Sequence, residues 1–256
     1  MTRPLLILIA LVALCGAGYV GYDRLYATPV VNDLTPEPDP GDLADAPPDP
    51  PIVLLKRAPN AATPQHAVNQ VDPGWLNRTV AATGIPSVAL RAYARAELTA
   101  PAGCGVGWTT LAGIGWIESQ HGRIGGRSLR PDGRSTKAII GPALDPSGDF
   151  AAIRADADGT RWHGDPEWDH AIGPMQFLPG TWATWGADGD GDGVRNPHDL
   201  DDAAAAAARY LCAGRHDLGT GEGWTSAVLT YNQSRAYASD VHAAASHYAA
   251  AATQAG

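Results

Sequence analysis

Lysine is nearly absent from this chain, phenylalanine and methionine occur twice each, and cysteine only three times in 256 residues. Lys56 and Lys137 are the only ammonium side chains, so sixteen of the 18 basic residues are arginine, and 27 acids leave a net charge of -9. Without a basic stripe to follow a phosphate backbone, nucleic acid is excluded as a partner. Few segments alternate β-branched and polar residues, so a sheet is marginal at most. Cys15 lies in an apolar N-terminal run, which leaves Cys104 and Cys212 for the rest of the chain. In an exported domain two such thiols form one disulfide; two free buried cysteines are the alternative.

The residues that are present divide the chain in three. From Pro4 to Tyr22 there is no charge, and that length of helix reaches ~28 Å, about the hydrocarbon thickness of a bilayer. Residues 1–27 therefore read as a signal anchor or a signal peptide that exports the rest of the chain to the extracytoplasmic face of the membrane or the cell wall. Residues 28–73 hold eleven of the 21 prolines together with many acids. Such a segment cannot bury enough apolar surface to order itself, and at a polyproline rise of ~3 Å per residue it could hold a domain up to ~100 Å from a membrane. Ile52-Val53-Leu54-Leu55 is the apolar exception, and its docking on the domain is left open. Residues 74–256 are long enough for one domain with a proper core.

Periodicity and capping signals predict helices over Ser87–Glu97 (capped by Ser87), Trp108–Ser119, Pro179–Trp185, Asp202–Cys212, Trp224–Tyr231 and Ser234–Ala251. The class is mainly α. A long Gly/Pro/Asp-rich stretch from the second of these helices to about residue 170 is expected to flank a site. Seven of the eight tryptophans lie beyond position 100, and exposed Trp and Tyr are stacking platforms for sugars.

One carboxylate stands apart. Glu118 falls on the same helical face as Leu111, Ile114 and Gly115, near the helix C-terminus. Burial and the helix dipole both raise its pKa. A carboxyl that keeps its proton near neutral pH is what glycoside cleavage needs to protonate a leaving oxygen. The plain alternative is a helix-end Glu paired with a nearby Arg or amide.

Further along, Asp188-Gly189-Asp190-Gly191-Asp192-Gly193-Val194-Arg195-Asn196-Pro197-His198-Asp199 matches an EF-hand loop. Asp188, Asp190, Asp192, the Val194 carbonyl and Asp199 are the expected metal ligands, with Asn196 holding a water. Aspartate in the last position is shorter than the usual glutamate and weakens the preference for calcium over magnesium. The ion expected here is a structural Ca2+; an acidic, glycine-rich turn that holds no ion is the alternative.

The order Glu118-Ser119-x-x-Gly122, then Gly173-Pro174-Met175-Gln176-Phe177-Leu178-Pro179, then the acidic loop, then Tyr231-Asn232, resembles the lytic transglycosylases, and among them the membrane-bound lytic transglycosylase B family. The resemblance covers about Pro86 to Tyr248. It implies a lysozyme-like multi-helix domain that cuts peptidoglycan glycan strands between N-acetylmuramic acid and N-acetylglucosamine. It also implies a 1,6-anhydro product, one catalytic carboxylate, Glu118, and no cofactor for catalysis. By the same likeness Ser119, Gln176, Tyr231 and Asn232 hold the sugar or orient Glu118, and Met175 and Phe177 form a wall. A hydrolytic muramidase using Glu118 and a non-catalytic, calcium-stabilised wall-binding module are the competing readings.

Overall fold

The computed structural model describes residues 49–55, 71–147, 152–214 and 216–254. The expected anchor at 1–27 and most of the expected spacer lie outside them. Among the described residues no helix is long and apolar enough to cross a membrane.

The described chain is mainly helical: α1 (Pro73–Thr83), α2 (Ser87–Thr99), α3 (Trp108–Ser119), β1 (Ile140–Ala143), α4 (Ala157–His163), β2 (His170–Ile172), α5 (Pro179–Trp185), α6 (Leu200–Cys212), α7 (Gly221–Tyr231) and α8 (Arg235–Gln254). β1 and β2 make one short antiparallel pair. Two helices lie beyond those the sequence predicts. α1 starts from an Asp72 cap with proline in its first turn, and α4 starts from an Asp156 cap. Both are short and mostly exposed, so neither shows a strong apolar stripe. Ser87 does not cap α2 as expected: it is the first helical residue, and Pro86 stands in the cap position. Ser234 does cap α8, accepting from Tyr237 N–H at 3.2 Å.

α3 is the central helix. Eleven of its twelve residues are buried; α8 packs along it, and α2 packs against both α3 and α6. Gly115 allows the Tyr93 hydroxyl of α2 to approach the helix backbone, and a Cβ at that position would overlap it. The alanine run of α6 gives that helix a smooth surface, which lets α2 lie close. Cys104, before α3, and Cys212, at the end of α6, are joined by a disulfide across 108 positions of sequence.

Residues 49–55 do dock. Leu55 N–H donates to Glu97 Oε1 at 2.6 Å, and the Thr109 hydroxyl donates to Pro51 O at 2.6 Å. Ile52 and Leu55 pack against the core. The other oxygen of Glu97 accepts from Trp108 N–H at 2.8 Å. One buried carboxylate therefore satisfies a free amide at the start of α3 and also fastens this strap.

Candidate active site

Glu118 sits in the last turn of α3 with 5 % of its surface exposed. Burial pushes its pKa up to about 8, against a partial opposing effect from the Tyr237 hydroxyl, which donates to Glu118 Oε1 at 2.6 Å. Burial also raises the pKa of the Tyr231 phenol, and Glu118, once ionised, raises it further. Its hydroxyl donates to Met175 O at 2.7 Å. Two phenols and one neutral carboxyl thus share a dry site at the junction of α3, α7 and α8.

The chain leaves α3 through an unusual turn. Gln120, His121 and Gly122 all have positive φ, so the left-handed cap begins at Gln120, two residues before the expected glycine. Behind it the His121 ring is buried between the Tyr93 and Tyr248 hydroxyls, at 3.0 and 2.9 Å. Burial lowers its pKa to about 3, so it packs as a neutral imidazole.

The Gly173–Leu178 segment closes the site from the other side. Ile172 and Phe177 exchange backbone hydrogen bonds of 2.8 and 3.0 Å, making a tight hairpin of the four residues between them. Gly173 is required there, because its φ is 76° and a Cβ would strike Pro197 O. Gln176 also has positive φ; its amide nitrogen donates to Gly173 O at 2.8 Å. Gln176 Oε1 is buried and accepts no hydrogen bond among the described residues.

Ser119 faces the hairpin. It is fully buried, its hydroxyl donates to Pro174 O at 2.6 Å and accepts from Gly122 N–H at 2.8 Å. These bonds fasten the end of α3, the turn that carries Glu118, to the hairpin. Met175 is likewise fully buried and offers its carbonyl to Tyr231, while Phe177 lies edge-on between Trp182 and Tyr231, each at 5.7 Å. Asn232 is buried, and its Oδ1 accepts from Ser234 N–H at 3.0 Å at the α7–α8 turn.

The acidic loop folds differently from its sequence register. Carboxylate oxygens of Asp188, Asp190 and Asp202 lie within 4.8 Å of one another. Asp199 is not in that group: it caps α6 by accepting from Asp201 N–H at 3.0 Å and faces Arg134 at 3.7 Å. Asp192 accepts from Val194 N–H at 2.7 Å, and Val194 itself is exposed. The physical reason is that α6 begins two residues earlier than expected. Asp199 is then consumed as its cap, and Asp202 in the first turn reaches back to the loop. Burial raises the pKa of Asp202 to about 7, against hydrogen bonds from the Gly189 and Asn196 amides. Three converging carboxylates, one of them buried, are a donor set suited to a hard divalent cation.

Residues 154–238 match the family described as Transglycosylase SLT domain. This chain carries a transglycosylase SLT domain. The matched third of the chain contains the Gln176 hairpin, the acidic loop, Tyr231 and Tyr237, whereas α3 with Glu118 precedes it. Two solved structures of the Escherichia coli lytic transglycosylase Slt35 are similar at 18 % identity. The one in complex with calcium has a TM-score of 0.44 and covers 75 % of this chain and 80 % of that one. The one in complex with bulgecin A has a TM-score of 0.42 and covers 76 % and 82 %. No curated protein matches.

Two site residues of the transglycosylase were not found by sequence reasoning. Tyr237 lies six positions after Tyr231, in the first turn of α8, and the only signal was a phenol just past the Ser234 cap. Asp202, at the start of the helix predicted over Asp202–Cys212, carries no sequence signal beyond that of an acid favoured at a helix start.

Proposed function

We propose that the transglycosylase cleaves the β-1,4 bond between N-acetylmuramic acid and N-acetylglucosamine and closes a 1,6-anhydro ring on the muramic acid, with Glu118 as its single acid and base. The observation that carries this reading is the buried Glu118 carboxyl, kept protonated at neutral pH and oriented by Tyr237. Glu118 gives its proton to the glycosidic oxygen as the C1–O bond breaks. It then takes the proton of the muramoyl 6-hydroxyl as that oxygen bonds to C1. The same carboxyl is restored and no water is consumed. During the interval in which Glu118 is ionised, the Tyr237 hydroxyl donates to a full carboxylate, a stronger hydrogen bond than to the neutral acid. Tyr231, which Glu118 influences electrostatically, and Gln176, whose buried Oε1 accepts no hydrogen bond among the described residues, are the groups assigned to hold the sugar.

Mass spectrometry of digested sacculi tests this directly. The muropeptides are expected to lack one water relative to hydrolytic products; hydrated ends would make the protein a muramidase.

Asp188, Asp190 and Asp202 would hold a Ca2+ ion, whose contribution is to neutralise the three carboxylates and fix the loop to the start of α6. Saturating calcium at about a hundredfold excess over its dissociation constant is worth ~2.7 kcal/mol, or roughly 5–10 °C in melting temperature for a domain of this size. Calcium is therefore expected to raise the melting temperature of the chain and to leave that of an Asp190→Ala variant unmoved. A wild-type protein indifferent to calcium would remove this part of the reading. Residues 1–27 are proposed to deliver the domain across the membrane to the wall.

A further inference from the structure

A second recess lies beside the proposed sugar site. Asp158, Arg161 and Trp162 of α4, Trp182 and Ala183 of α5, and Arg195 of the acidic loop line a groove of about 160 Å³. Trp182 is the shared wall: one edge of its ring meets Phe177, whose other neighbour is Tyr231, and the groove opens beyond it. A glycan lying past Tyr231 would bring its next substituents to this recess.

The lining has an unusual charge for this protein. The chain carries a net charge of -9, yet two arginines from separate elements line this one groove with Asp158 as its single acid. Among the described residues neither the Arg161 nor the Arg195 guanidinium forms a hydrogen bond or a salt bridge, in contrast to Arg95, Arg134 and Arg154. Arg161 lies over the face of Trp162 at 4.8 Å, an arrangement that holds the planar fork and leaves its edges available. A guanidinium edge held beside an aromatic wall recognises a carboxylate, and a second arginine in the same lining adds to that preference.

From this geometry we infer that the groove is a carboxylate-binding subsite, engaging an acidic substituent of the glycan strand while Glu118 acts on its backbone. The inference rests on the function proposed above. Peptidoglycan offers that chemistry from two sources. Its muramic acid bears a lactyl carboxyl that is either free or joined to a short peptide, and the peptide ends in a free carboxylate.

The test compares wild type with an Arg161→Gln/Arg195→Gln variant on two substrates: soluble stem-bearing strands, and the same strands after amidase removal of the peptides, which frees the lactyl group. Loss of a charge-assisted pair is expected to raise KM roughly tenfold with kcat unchanged. A rise confined to stem-bearing strands assigns the groove to the peptide carboxylate, and a rise on stripped strands assigns it to the lactyl group. Unchanged KM on both overturns the subsite and leaves the transglycosylase reading intact. Failure of the wild type to cut either substrate would instead overturn that reading.

Discussion

Glu118→Gln is expected to lower turnover by about three orders of magnitude or more, in the range of a lost general acid and base, while the fold persists. The amide is isosteric and still accepts the Tyr237 hydrogen bond through its oxygen, so the local packing has no reason to change. The same substitution is expected to stabilise the protein in a pH-dependent way. The folded pKa of Glu118 is raised from 4.5 to about 8. Its contribution to stability is therefore fully present below about pH 4.5 and is lost as the pH rises through about 8. At pH 7 the unfolded chain is ionised and the folded one protonated, a penalty on the order of 3 kcal/mol that the amide does not carry. Melting curves of the two proteins should nearly coincide at about pH 4 and separate at about pH 7–8, with the variant higher. Wild-type activity should fall as the pH passes about 8, where the acid loses its proton. A variant that digests sacculi normally would end the assignment of Glu118.

Removal of the Cys104–Cys212 bridge is the second large effect. The bond closes a loop of 108 positions, for which the chain-entropy account gives roughly 4–5 kcal/mol. For a domain of this size that corresponds to about 10–20 °C in melting temperature. The bridge holds the segment entering α3 to the end of α6, and the Cys104 carbonyl also accepts from Leu218 N–H at 2.9 Å, ahead of α7. A Cys104→Ala/Cys212→Ala protein should melt lower by that amount, and added reductant should destabilise wild type but not the variant. Equal melting of the two proteins would show that the bridge carries no such weight.

The parts of this molecule that could be read from sequence are those where a periodic pattern coincides with burial. The α3 stripe placed Glu118 among Leu111 and Ile114, and all three are buried. Caps were less legible: Ser234 starts α8 as its sequence suggests, whereas Asp72, Asp156 and Asp199 cap helices whose starts the pattern does not reveal. The acidic loop was not legible in detail, because Asp199 and Asp202 both fit a helix start and only the position of α6 decides which one caps it. Ser119 and Met175 lie within the motif that carries the family likeness, yet both are buried and serve the backbone of their neighbours. A motif reports which residues travel together and does not separate those that touch a ligand from those that hold the ones that do. Tyr237 shows the converse: its role depends on α8 crossing α3, a contact between residues 119 positions apart.

The strap at residues 49–55 bears on how such an enzyme would be leashed. Only 21 residues separate the expected anchor from the docked segment, and at a polyproline rise they extend roughly 65 Å. Were residues 1–27 to anchor the chain as proposed, its working radius would be shorter than the full proline-rich stretch suggests. Any tension on that leash enters the domain through Pro51 and Leu55, at Thr109 and Glu97. Those residues hold the first turn of α3, so mechanical load arrives at the opposite end of the helix that carries Glu118.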